Sequence, residues 1–83
     1  MDFTLSRHAT DAIRERNIRI EWITETMNTP IATEPDPSDD TLMHALRPIA
    51  EFDSRVLRVI YNRLRTPPHI VTVYFDRAMK GRI

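Results

Sequence analysis

The sequence predicts a two-layer α+β domain in which two N-terminal helices pack on a three- to four-stranded antiparallel sheet. Apolar residues recur at helical spacing between residues 6 and 28, whereas they alternate with polar residues between 41 and 75. The segments that join the alternating stretches are short enough to be hairpin turns, so neighbouring strands should run antiparallel. Since both helices precede the strands, we expect them to cover one sheet face and leave the other more exposed.

The stretch from Ser6 to Ile18 has the clearest helical pattern. Ser6 is a suitable N-cap, because its hydroxyl can accept a hydrogen bond from a first-turn amide. Asn17 tolerates the left-handed conformation that ends a helix, and Ile18 can fold back as the apolar residue after the cap. The apolar stripe between these ends is formed by Ala9, Ala12 and Ile13.

A second helix is predicted from about Glu21 to Asn28, where Thr29-Pro30 stops it. Trp22 lies off its apolar stripe. Packing at the edge of the core, a subunit contact and ligand stacking are the three roles that we consider for this side chain.

An edge strand is expected to begin at Ile31 to Thr33, because the prolines that follow cannot donate to a sheet ladder. The acidic residues around these prolines match no calcium loop and are interpreted as a solvated turn. They are Glu34, Asp36, Asp39 and Asp40.

Three further strands are predicted over Thr41 to Phe52, Arg55 to Arg63 and His69 to Phe75. Pro48 indicates a bulge or an edge within the first of them. Asp53-Ser54 is typical of a tight turn between strands.

Length and composition indicate one small soluble domain without disulfides, since the chain has 83 residues and no cysteine. No apolar run is long enough to span a membrane, and the first residues do not resemble a signal peptide, so we expect a cytoplasmic protein without membrane contact.

The net charge of zero hides an asymmetry, because residues 1–40 sum to −5 and residues 41–83 to +5. Either the two halves neutralise each other across the fold, or a basic surface is left to contact an anion such as RNA.

The N-terminal run resembles the small bacterial family called domain of unknown function 4258, whose signature begins with a serine-x-histidine-alanine-like motif. The matching residues are Ser6, His8, Ala9, Arg16 and Ile18, followed by Glu21, Ile23 and Pro30. Two positions depart from the family pattern: Ala12 replaces an arginine and Asn17 replaces a glycine. The family is similar to RelE-like and BrnT-like toxin folds, which include ribonucleases that cleave messenger RNA, so the resemblance implies such an activity.

Metal-independent RNA cleavage needs a base, an acid and cations near the phosphate. His8, oriented by Asp11, is the candidate base or acid. Arg58 and Arg47 are candidate phosphate clamps from one sheet face, and Tyr74 or His69 is the second proton carrier. The structural alternatives are that His8 bonds backbone, that Arg58 pairs with Glu51 or Asp53, and that His44 and His69 are ordinary strand residues.

The sequence therefore leaves two function classes open. The first is a toxin-like endoribonuclease or an RNA-binding relative, with RNA and an antitoxin-like protein as candidate partners. Its catalytic residues would be His8, Arg58 and Tyr74, and its substrate-binding residues Arg16, Arg47, Arg63 and Lys80. The second is a non-catalytic domain that binds a partner or forms a homodimer. A small-molecule enzyme ranks third, and no metal or other cofactor is predicted.

Overall fold

The computed structural model describes residues 2–83, which form two helices and one five-stranded sheet. The elements in chain order are β1 (Thr4–Leu5), α1 (Arg7–Arg16), α2 (Ile20–Asn28), β2 (Ala32–Pro35), β3 (Leu42–Ile49), β4 (Arg55–Asn62) and β5 (His69–Phe75). Short 3₁₀ turns, Ala50–Phe52 and Arg77–Met79, follow β3 and β5. The strand order is β1-β5-β4-β3-β2.

Both helices form where the apolar spacing predicts them, and the ends of α1 are confirmed. The Ser6 hydroxyl accepts a 3.0 Å hydrogen bond from the Ala9 amide. At the other end, Asn17 is left-handed with φ of 53°, and the Ile18 amide donates to the Ile13 carbonyl at 3.0 Å. The helix α2 begins at Ile20, one residue before the predicted start.

The prediction of three to four antiparallel strands is wrong, because the sheet has five strands and is mixed. The additional strand β1 runs parallel to β5, with Thr4 opposite His69 and Leu5 opposite Ile70. Two residues are too few to show an alternating pattern, so nothing in the local sequence distinguishes β1 from a loop.

The predicted strand boundaries differ from the observed ones at two places. The first edge strand covers Ala32–Pro35 rather than starting at Ile31. The strand predicted to reach Phe52 ends at Ile49, where a 3₁₀ turn leads into a tight turn. Asp53 and Ser54 form that turn with φ of 56° and 52°, which confirms the prediction made for them.

Pro48 lies within β3 without disturbing its pairing to β4. The Leu46 carbonyl accepts from the Ile31 amide, so alternate residues of β3 point their backbone groups toward β2. Pro48 is two residues further on, beyond the start of β2 at Ala32, so its missing N–H leaves no ladder bond unmade. Pro48 therefore lies where one side of β3 is locally unpaired, although β3 is an inner strand, and no bulge occurs at this position.

The helices pack on one face of the sheet, and the hydrophobic core lies between the two layers. Its fully buried members include Ala9 on α1, Ile23 on α2, and Leu57, Val59 and Val73 on the sheet. The opposite face has no helix over it, yet it also contains buried residues, which are His44, Leu46, Val56, Arg58 and Ile60. Within residues 2–83, this second face holds the buried Arg58 and His44 side chains.

Candidate functional site

Arg58 is the centre of a polar network on the sheet face opposite the helices. It lies in the middle strand β4, and its side chain is only 9% exposed. Its Nε and NH2 donate to one oxygen of Asp76 at 3.0 and 2.8 Å, and its NH1 donates to Glu34 at 2.6 Å. Two carboxylates therefore hold this buried guanidinium, which is the arrangement that buried charge requires.

His44 connects Arg58 to a further carboxylate. Its Nδ1 lies 2.7 Å from Arg58 NH1, and its Nε2 lies 2.7 Å from Asp36 Oδ1. Because a guanidinium can only donate, Nδ1 accepts from Arg58, and Nε2 carries the hydrogen that is donated to Asp36. Both ring nitrogens of His44 are thus hydrogen-bonded within the network, so neither is available to accept a proton from a substrate.

The loop before β3 supplies Asp36 in a fixed conformation. One oxygen of Asp36 accepts from the backbone amides of Ser38 and Asp39 at 3.1 and 3.0 Å. The hydrogen bond with His44, followed by those from Ser38, lowers the pKa of Asp36 below its ordinary value. The prediction of a merely solvated acidic turn is therefore wrong for Glu34 and Asp36, since both hold buried partners on the sheet.

Two opposing effects act on the pKa of Arg58. Burial lowers this pKa, but the hydrogen bonds to Glu34 and Asp76 outweigh burial and raise it. Arg58 is thus a permanent cation whose charge is matched locally. Its expected pairing with Glu51 or Asp53 does not occur, because Glu34 and Asp76 are its acidic partners.

The three residues predicted to be catalytic do not come together. Tyr74 lies directly opposite Arg58 in the register of β5 and β4. His8 is exposed on α1, in the layer that covers the other sheet face, and no hydrogen bond joins it to Asp11 among residues 2–83. The sheet therefore separates His8 from Arg58 and Tyr74.

The residues predicted to bind substrate are also dispersed. Arg47 faces the helices, where it donates to Glu25 at 3.0 Å, so the expectation that it shares a face with Arg58 is wrong. Arg16 is exposed in the last turn of α1. Arg63 follows the far end of β4, where it donates to the Asp40 carbonyl at 2.9 Å. Lys80 lies after β5.

Lys80 takes part in a cleft at the end of the sheet where β4 begins and β5 ends. The cleft has a volume of about 280 Å³ and is lined by Arg55, Phe75, Asp76, Arg77 and Lys80. We call this set the basic cleft. Of this set, only Lys80 is predicted from the sequence as a binding residue. Arg55 and Phe75 are far apart in the sequence and become neighbours only when β4 pairs with β5, which a local pattern does not show.

The charges of the basic cleft are unevenly matched. Lys80 donates to Asp53 at 2.7 Å, and this hydrogen bond lowers the pKa of the Asp53 carboxyl. Asp76 is engaged by Arg58. Among residues 2–83, no carboxylate lies within ion-pair distance of Arg55 or Arg77. The cleft therefore retains two arginines that form no ion pair, although the charge of Arg55 contributes to lowering the pKa of Asp53.

An aromatic cluster adjoins the basic cleft. Phe52 stacks on Trp22 with ring centroids 5.4 Å apart and contacts Phe75 at 5.0 Å, while the Arg55 guanidinium lies 4.7 Å from the Phe52 ring. Trp22 is 7% exposed, which places it at the edge of the core, the first of the roles considered for it. Phe52 is more exposed than Trp22, at 36%.

His69 has a local partner at the opposite end of β5. Its Nδ1 and the Thr4 hydroxyl are 2.7 Å apart, which ties β1 to β5. Within residues 2–83, no three histidine or acidic side chains are arranged to hold a metal ion. No helix among the same residues is long and apolar enough to cross a bilayer.

Comparison with known proteins identifies a family that the chain matches. Residues 5–75 match the model of a family described as Domain of unknown function (DUF4258). No curated protein and no solved structure matches the chain. The similarity to RelE-like toxins therefore stays an expectation from the resemblance, without a further finding behind it.

Proposed function

The chain belongs to the DUF4258 family, since the match covers most of its length, and we propose that it binds single-stranded RNA through the basic cleft. The observation that carries this proposal is the convergence of Arg55 and Arg77, both without a carboxylate partner among residues 2–83, beside the ring of Phe75. Arginine suits phosphate because its planar group donates two parallel hydrogen bonds. A cleft with cations and an aromatic wall is the combination that single-stranded nucleic acids require.

Charge matching elsewhere supports this location. Two ion pairs join acidic groups of the first half to basic groups of the second: Glu25 to Arg47 and Glu34 to Arg58. The two halves thus neutralise each other over the middle of the sheet. Among the basic groups of the second half that form no ion pair within residues 2–83, Arg55 and Arg77 line the cleft where β4 begins and β5 ends, whereas Arg63 and Arg65 follow the far end of β4. A phosphate chain that binds in this cleft would meet the first two.

The same geometry favours binding over cleavage by the predicted residues. Cleavage needs an acid and a base on opposite sides of one phosphate, and His8 lies across the sheet from Tyr74. Arg58 is enclosed by Glu34 and Asp76, which would repel a phosphate approaching it. RNA binding without cleavage at these three residues is therefore the function that we propose.

The direct test is fluorescence anisotropy with a labelled ten-nucleotide oligouridylate. With two to three phosphate contacts, affinity should fall about 7- to 20-fold between 50 and 200 mM salt. Arg55→Gln and Arg77→Gln should each weaken binding about three- to tenfold at low salt and make the salt dependence shallower. These variants remove charge without removing a hydrogen-bonded carboxylate partner.

Arg14→Gln is the matched control, because Arg14 is an exposed arginine on α1 and the net charge changes equally. It should leave the affinity within about twofold. Equal losses for all three variants would mean diffuse attraction and would contradict a specific cleft. Unlabelled RNA is incubated in parallel: cleavage that disappears in His8→Ala would restore the ribonuclease hypothesis.

A self-associating domain is the second candidate function, favoured by one observation. The residue before β2, Ile31, is 56% exposed, and β2 forms an outer edge of the sheet whose last three residues are exposed. An exposed edge with an apolar neighbour can pair with another strand. This alternative predicts that protection of the β2 amides from hydrogen exchange rises with protein concentration.

A further inference from the structure

Asp76 belongs to two sites at once. Its carboxylate lines the basic cleft, and it is the one acidic group among the lining residues that the structure describes. One of its oxygens accepts two hydrogen bonds from Arg58, and the other accepts from the Ala78 amide at 3.0 Å. The hydrogen bond from the Ala78 amide caps the 3₁₀ turn that carries Arg77. Asp76 therefore positions a cleft residue and also places a negative charge beside it.

A free carboxylate at this position would oppose anion binding, since it lies among the groups that attract the anion. Arg58, on the sheet face opposite the helices, offsets the negative charge of this carboxylate. Its guanidinium is 9% exposed and points its Nε and NH2 at Asp76, so it compensates the carboxylate without itself lining the cleft. Glu34 and His44 occupy NH1 and thereby fix the orientation of the guanidinium.

We infer that Arg58 is a positioning residue for the basic cleft, which sets the anion affinity of the cleft by neutralising Asp76 and holding it as the cap of the Arg77 turn. This inference rests on the proposed function, because it concerns how Arg58 sets the affinity of the same cleft for its anionic ligand. It also assigns a role to the buried network, which the proposed RNA contact does not touch directly.

The experiment measures affinity for the same labelled oligouridylate in a set of charge variants. Arg58→Gln leaves Asp76 uncompensated and should weaken binding about three- to tenfold, whereas Arg58→Lys keeps the cation and should stay within about twofold of the original chain. Adding Asp76→Asn to Arg58→Gln removes the uncompensated carboxylate and should restore the affinity to within about twofold.

The matched control is the double variant Arg58→Gln with Glu34→Gln. It has the same net charge as Arg58→Gln with Asp76→Asn, and it also removes a carboxylate bonded to Arg58. Glu34 lies on β2 and does not line the cleft. This control should therefore stay as weak as Arg58→Gln alone, which separates a local effect at Asp76 from the overall charge.

Folding of each variant is checked by circular dichroism, because Arg58→Gln leaves the largely buried Asp76 carboxylate without its cation. If that variant does not fold, Asp76→Asn and Glu34→Gln are compared as single variants. Asp76→Asn should then tighten binding about three- to tenfold, and Glu34→Gln should change it less than twofold. Equal effects of the two substitutions would overturn the inference.

Pyrophosphate is used as a second anion, with the amide NMR shifts of Arg77 and Lys80 as the readout. If pyrophosphate follows the predicted ranking of variants while RNA does not bind, the inference stands and the proposed function fails. If RNA binds but Arg58→Gln has no effect, or if Glu34→Gln restores binding as well as Asp76→Asn does, the inference fails and the proposed function stands. If neither anion binds, both fail.

Discussion

The Ser6 hydroxyl makes two hydrogen bonds that join different parts of the fold. It accepts from the Ala9 amide at 3.0 Å, which caps α1, and donates to the Val71 carbonyl at 2.9 Å, which attaches the helix start to β5. Ser6→Ala should therefore lower the free energy of unfolding by about 1–2.5 kcal/mol, more than a cap alone contributes. Urea denaturation measures this change.

Glu15→Ala serves as the control for Ser6→Ala, because Glu15 is exposed on the same helix and far from its capped end. Its effect should lie within about 0.5 kcal/mol. A loss for Glu15→Ala as large as that for Ser6→Ala would show that general helix propensity, and not the two Ser6 bonds, accounts for the result.

Individual residues of the candidate site could be predicted in part. Alternation is a local pattern, so it predicted the strands β3 and β4 that carry His44 and Arg58, but the expectation that Arg47 shares a face with Arg58 is wrong. The carboxylate partners of His44 and Arg58 could not be found this way. Asp76 and Glu34 meet Arg58 because β5 and β2 come to lie on either side of the β3–β4 pair, which only strand order and register determine.

The secondary structure elements differ in how firmly the sheet holds them. The strand β4 lies in the middle of the sheet, and its residues Leu57 and Val59 are fully buried. The edge strand β2 has neighbours on one side only and is largely exposed. In hydrogen exchange measured by NMR, β4 amides should thus exchange most slowly and β2 amides among the fastest, because edge strands open locally at lower free energy.

The exchange experiment also tests the self-association hypothesis. The outward amides of β2 should exchange at a rate that does not depend on protein concentration if the protein is monomeric. Protection of these amides that rises with concentration and approaches that of β4 would contradict the expected order. That result would instead support pairing of two copies through β2.

Among the elements, those with a repeated apolar pattern were predictable, and the shortest one was not. The helices and the strands β3, β4 and β5 each contain several repeats of their period. The strand β1 is held by hydrogen bonds from Thr4 to the Pro68 carbonyl and from Ser6 to the Ile70 carbonyl, which are contacts with the far end of the chain. A parallel edge of this kind depends on tertiary structure, so the local sequence does not reveal it.

The molecule as a whole uses its carboxylates as hydrogen-bond acceptors, which makes its stability depend on pH. Hydrogen bonds lower the pKa of three aspartates: from His44 to Asp36, from the Thr41 side chain to Asp39, and from Lys80 to Asp53. A carboxyl whose pKa is lower in the folded state stabilises the fold above its unfolded pKa. This contribution is lost as the pH falls through the folded value.

We therefore expect the urea midpoint to be nearly constant between about pH 6 and 7.5 with respect to these groups and to fall below about pH 4, where unfolded aspartates take up protons. Denaturation curves in a single buffer series at constant ionic strength measure the effect.

Asp36→Asn should flatten part of the acid fall, because an amide does not titrate, and it should also lower the midpoint at neutral pH, since His44 loses its charged acceptor. Asp2→Asn is the control, because Asp2 is exposed and should leave the acid fall unchanged. A fall in Asp36→Asn as steep as in the original chain would show that the Asp36 carboxylate does not link protons to folding, which would leave Asp39 and Asp53 as the carboxyls with a lowered pKa that account for the acid sensitivity.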